Sequence, residues 1–144
     1  MRRDAQDKRT EAILGEHADS DFDEAVGTFY EYLETHLSLP CEVTGIEDFD
    51  WEEFYVFGPG SQEEYDQLRK TQPSFQDRYT LLEITRDASS EWMLFPGEDL
   101  VAYVRRLSDG KEFWLGLAEL KATDRKSQNH QLLDDYSVWF INNR

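Results

Sequence analysis

The sequence predicts an α+β domain: a small antiparallel, SH3-like curled sheet or barrel with an N-terminal helix and a short second helix. Three observations lead there. One long amphipathic segment precedes Pro40, and short β-branched and aromatic runs separated by turn signals follow it. The 144 residues show no internal repeat and are one domain's worth, enough to bury an apolar core without a disulfide framework.

Residues 1–18 are polar and mixed in charge, and are read as an N-terminal extension, a frayed terminus or short helix with little core of its own. In DSDFDEAVGTFYEYLETHLSL, Phe22, Val26, Phe29 or Tyr30, Leu33 and Leu37 recur at helical spacing, with Asp19, Ser20 or Asp21 available as N-cap. The spacing predicts a helix from about Phe22 to Ser38, ended by Pro40. CEVTGI then reads as a strand, the acidic segment after it as a loop, and FYVF as a second strand closed by the turn GPG. Ser61 and Glu64 have capping-box spacing, which makes SQEEYDQLRK a short helix before Pro73. YTLLEI, WMLF and LVAYVRRL are strand candidates, and Asp109-Gly110 is a hairpin turn leading into KEFWL. A mixed-charge stretch follows, and YSVWFIN is read as the last strand.

Charge is the outstanding feature of the composition. The chain has 31 acidic and 15 basic residues, a net charge of -16, and aromatic residues plentiful enough to argue against disorder. From Thr10 to Leu68 there is no Lys or Arg but there are 17 Asp or Glu, so this window holds the whole imbalance. Such a surface does not suit nucleic acid, whose phosphates call for clustered Lys and Arg. It leaves a cation, a basic protein partner, or simple solubility.

Enzyme templates fail. There is no Gly-rich phosphate loop and no nucleophile elbow, and His17, His36 and His130 share no ligand-like spacing. The single cysteine, Cys41, excludes an intramolecular disulfide and any multi-cysteine metal site, and reads as a buried structural thiol. No run approaches a bilayer span and no apolar signal core opens the chain, so a soluble, cytoplasmic protein is expected.

Hard cations take six to eight oxygen ligands and so need clustered carboxylates. DSDFDE places Asp19, Asp21 and Asp23 as an EF-hand loop would, but Glu24 stands where the turn glycine belongs and Tyr30 where the bidentate Glu belongs. Asp19 to Glu24 instead read as charge favoured by a helix N-terminus. EDFDWEE fails the same test, with Glu53 at the sixth position and Pro59 at the twelfth. Alternation survives: an extended segment would point Asp48, Asp50 and Glu52 one way, and Phe49, Trp51 and Glu53 the other. Two readings stay open, a cation-binding edge of three carboxylates or a solvated acidic loop. A complete metal site would draw on Glu98 and Asp99 in FPGEDL, or on Asp134 and Asp135 in LLDDY.

The order of YLETHLSLP, CEVTGIEDFDWEE, YVFGPGSQEEYDQL and EFWLGLAELKATD resembles the small acidic calcium-binding proteins of the CcbP type, known from cyanobacteria, over roughly residues 25–144. That resemblance implies a Ca²⁺ buffer or sensor outside the EF-hand class, with acidic loops holding the ion and a part in calcium-dependent signalling. The leading expectation is that residues 19–144 are a single calcium-binding α+β domain, monomeric and without enzymatic activity, with Asp48, Asp50 and Glu52 as ligands and Glu53 assisting. The alternative is an interaction or inhibitor protein whose acidic face masks the basic surface of a partner.

Overall fold

The computed structural model describes residues 2–15 and 21–144. Its helices are α1 (Arg2–Leu14), α2 (Phe22–His36), α3 (Glu53–Val56), α4 (Gln62–Leu68) and α5 (Gln128–Asn143). Its strands are β1 (Cys41–Gly45), β2 (Arg78–Thr85), β3 (Val101–Arg106), β4 (Glu112–Gly116) and β5 (Leu120–Ala122), with 3-10 turns at Asp50–Glu52 and Leu117–Glu119. The class is α+β as predicted, and the strands form one antiparallel sheet in the order β4-β3-β2-β1-β5.

Asp21 caps α2, accepting the Glu24 N–H at 2.9 Å, while Asp23 and Glu24 sit in the first turn, where the helix dipole favours negative charge. The other two N-cap candidates, Asp19 and Ser20, lie outside the described residues, as does Asp19 of the first EF-hand-like run. The face carrying Val26, Phe29 and Leu33 is buried. Ser61 caps α4 as its spacing predicts, accepting the Glu64 N–H at 3.1 Å. The Asp109-Gly110 turn joins β3 to β4, with Gly110 at φ 76°, a conformation open to glycine.

Three strand predictions are corrected. YSVWFIN lies in α5: Ser127 caps that helix through the His130 N–H, and Leu132, Leu133, Tyr136, Trp139 and Phe140 recur at helical spacing on its buried face. Periodicity over the longer window decides between strand and helix where a seven-residue apolar run cannot. FYVF is one turn of helix continuing the 3-10 turn before it, and Phe54, Val56 and Phe57 are exposed rather than packed in a sheet. WMLF forms turns between Ser90 and Pro96, where the Leu94 N–H donates to the Glu119 carboxylate at 3.1 Å instead of to a neighbouring strand.

The strand order forces a curl. β4 and β5 are opposite edges of the sheet, yet only Leu117–Glu119 separates them. A flat five-stranded sheet would set its edges about 19 Å apart at about 4.8 Å per strand. Four residue steps span about 14 Å at most, even fully extended. The ladder is not closed into a barrel, since no pairing among the described residues links β4 to β5.

Val43, Tyr79, Leu81, Val104, Leu115 and Leu120 point inward from the sheet against Phe29 and Leu33 of α2 and the buried face of α5. Leu14 at the end of α1 is buried in the same core. The buried Arg106 holds residues 69–77 to the β3–β4 hairpin through Asp77 (3.0 Å), Asp109 (2.8 Å) and the Gln72 carbonyl (2.9 Å).

Candidate functional site

The acidic segment after β1 is not extended. Asp50–Glu52 is a 3-10 turn that runs into α3, so residues 48, 50 and 52 do not share an edge. The physical reason is Glu52, which is fully buried and accepts four hydrogen bonds. The Phe49 N–H (3.1 Å) and Phe75 N–H (2.9 Å) reach Oε1, and the Tyr65 hydroxyl (2.5 Å) and Ser74 hydroxyl (2.6 Å) reach Oε2. Closing the Phe49–Glu52 turn around this carboxylate satisfies its lone pairs, which an extended segment would leave in water. Phe49 is buried as the alternation implied, and the Trp51 indole N–H donates to the Pro73 carbonyl at 2.6 Å.

The other predicted ligands separate into groups. Asp134 and Asp135 face α1: Gln6 donates to both at 2.9 Å, and Arg9 makes two 2.9 Å bonds to the buried Asp135. Glu98 is exposed and pairs with Arg144 at 2.9 Å. Glu53 lies on the exposed face of α3 and, with Asp50, Phe54 and Phe57, lines a shallow pocket of about 420 Å³.

Asp48 and Asp99 do approach common ground, through a residue the sequence reading passed over. Glu119 ends the 3-10 turn between β4 and β5 and, with Glu47 and Asp48, borders a groove of about 320 Å³ whose walls include Leu94, Val138 and Ile141. Asp99 lies behind it, accepting the Tyr136 hydroxyl (2.7 Å) and the Ala118 N–H (3.0 Å). Both carboxylates press on Gly116, where an added Cβ would collide with the Glu119 Oε2 and stand 2.7 Å from the Asp99 Oδ2. Any larger residue would have to push both carboxylates aside.

The electrostatics follow from that crowding. Burial pushes the Glu119 carboxyl up to about 7, and the charge of Asp50 adds to it, so Asp50 is electrically part of this site. Burial likewise pushes Asp99 up to about 7, against the hydrogen bonds from Tyr136 and Ala118 and with help from the charge of Glu119. Among the described residues, no Lys, Arg or His lines the groove. The charged side chains on it, Glu47, Asp48 and Glu119, are all carboxylates, the hard oxygen donors that suit a divalent cation. Among the described residues, no three His, Cys, Asp or Glu side chains are gathered tightly enough around one point to be a ready-made metal cage. One signal in the sequence marks Glu119: it is the sole charged residue in WLGLAEL.

No protein-family profile matches the sequence, and no curated protein matches it significantly. Solved structures do share its fold. The crystal structure of Anabaena CcbP superposes with a TM-score of 0.58 at 17% identity, covering 94% of this chain and 89% of that one. A calcium-binding protein in its calcium-binding form superposes with a TM-score of 0.56 at 16% identity, covering 96% and 90%. The chain has a CcbP-type fold. Among the described residues no helix is long and apolar enough to cross a membrane.

Proposed function

We propose that this chain is a monomeric, cytoplasmic Ca²⁺-binding protein, a buffer or sensor in calcium-dependent signalling that works without enzymatic activity. The observation that carries the reading is the convergence of Glu119 and Asp99 on Gly116, beside Asp48 and within electrical reach of Asp50. Two structural neighbours of the same fold are a CcbP and a calcium-binding protein, which points the same way.

In this reading Asp48, Asp50 and Glu119 supply the carboxylate oxygens and Glu47 adds charge at the rim. Asp99 fixes the 117–119 turn through the Ala118 N–H and keeps negative charge behind Glu119. Glu52 shapes the loop as an internal acceptor, Glu53 stays on the outer face of α3, Glu98 is taken by Arg144, and Asp134 and Asp135 belong to the α1 contact. The ligands come from two loops of different position and not from one twelve-residue run, which keeps the site outside the EF-hand class. The SH3-like curl is part of the same proposal, because the short link between β4 and β5 holds Glu119 against Gly116 and Asp99 while β1–β5 pairing sets it beside the acidic loop.

Calorimetric titration of the chelator-treated chain with CaCl₂ in low-salt buffer tests the reading. Saturable heat that E119Q abolishes is expected, and no heat at millimolar calcium overturns it.

A further inference from the structure

The groove beside Glu119 has a second character that calcium does not use. Ile46, Leu94, Val138 and Ile141 line it, and they remain 38%, 44%, 38% and 52% exposed. Apolar side chains left this open on one face, rimmed by polar groups, mark a surface that another molecule covers. The rim bears Glu47, Asp48 and Glu119, and no basic residue lines it among the described residues.

The chain itself shows what charge this face accepts. The Arg144 guanidinium lies 3.6 Å above the ring of Phe95, a lining residue, while pairing with Glu98 at 2.9 Å. A guanidinium thus already sits at the groove's edge on an aromatic and a carboxylate. A second copy of the chain is a poor occupant, since it brings a net charge of -16 and the same acidic rim.

We propose that this groove docks a basic, amphipathic segment of a partner protein: aliphatic side chains enter between Ile46, Leu94, Val138 and Ile141, and flanking Lys or Arg pair with Glu47, Asp48 and Glu119. Because Asp48 and Glu119 also serve as the calcium ligands proposed above, the ion and the segment compete, and calcium releases the segment. This last step rests on the calcium reading; the docking does not. By linkage, the factor by which calcium weakens the segment is the factor by which the segment weakens calcium.

The probe is a fluorescein-labelled 14-residue peptide with Leu at i, i+3, i+4 and i+7 and Lys elsewhere. Its anisotropy is titrated with the full chain in EDTA. Saturable one-to-one binding is expected, with at least about a 10-fold loss for the double variant V138E/I141E and for a peptide with Ser in place of Leu. Both substituted residues are exposed on α5, and a circular dichroism spectrum matching the native chain confirms the fold. Equal binding by the double variant, or by the Ser peptide, overturns the docking proposal. So does a native dimer by sedimentation that V138E/I141E dissolves, which would make a second copy the occupant.

Added CaCl₂ should displace the peptide beyond the effect of NaCl at equal ionic strength. Calorimetric calcium binding that leaves peptide affinity unchanged overturns the competition. Peptide binding in EDTA together with absent calcium heat upholds the docking and overturns the calcium reading instead.

Discussion

Glu119→Gln separates a ligand from a strut. Burial holds the Glu119 carboxyl at about 7 in the fold, against an ordinary value of 4.5. The folded state therefore keeps this proton over a window in which the unfolded chain has lost it. The stability it contributes is fully present below pH 4.5 and is lost as pH rises through 7, at about 1.4 kcal/mol per pH unit, or about 3 kcal/mol by pH 8. Glutamine keeps an oxygen for the Leu94 N–H and carries no charge. It also relieves Asp99 of a neighbouring negative charge. In EDTA, E119Q should match the native chain at pH 4.5 and exceed it by about 3 kcal/mol at pH 8. Urea unfolding followed by tryptophan fluorescence at both pH values measures this. Calcium closes most of that gap at pH 8: native chain at a hundredfold excess over Kd gains about 2.7 kcal/mol, and E119Q gains nothing. If E119Q is no more stable than native chain at pH 8 in EDTA, the carboxylate is not desolvated and the reasoning fails.

Other substitutions probe the supports of the site. Gly116→Ala places a methyl against two carboxylates, so unfolding in urea should show a loss of about 2 kcal/mol, and calorimetry a loss of calcium heat. Glu52→Ala strands three buried donors and one half-buried one and should cost about 4 kcal/mol; Glu52→Gln, whose amide can face the Tyr65 and Ser74 hydroxyls, should cost less than half of that in the same assay. Arg9→Ala leaves the buried Asp135 with Gln6 as its one side-chain partner among the described residues, so amide exchange along α1 should accelerate selectively while calcium heat is unchanged.

Where the sequence and the structure part company, the cause is specific. α2 and α4 were legible because Asp21 and Ser61 are local caps whose donors lie three residues on. The β3–β4 hairpin was legible from Asp109-Gly110 for the same reason. YSVWFIN, FYVF and WMLF misled because a short apolar run has no period of its own, and their fates were decided by Ser127, Glu52 and Glu119 outside or beside them. At the site, the acidic segment pointed to Asp48 and Asp50, while alternation turned Glu52 outward when three of its four donors lay 13 to 23 residues away along the chain. Glu119 is 71 residues from Asp48, and they meet because β1 pairs with β5, Gly45 opposite Leu120, with the Ile46 N–H donating to the Glu119 carbonyl.

The three-residue link between β4 and β5 makes the site a hinge pin. The two sheet edges belong to strands that pair with different neighbours, β4 with β3 and β5 with β1, so spreading of the sheet tends to pull them apart at residues 117–119. An ion or a docked segment held by Glu119 resists that spreading, and its binding energy is felt at both edges together. Occupancy of one small groove should therefore slow amide exchange in β4 and β5 in parallel, turning a local binding event into the stiffness of the whole sheet.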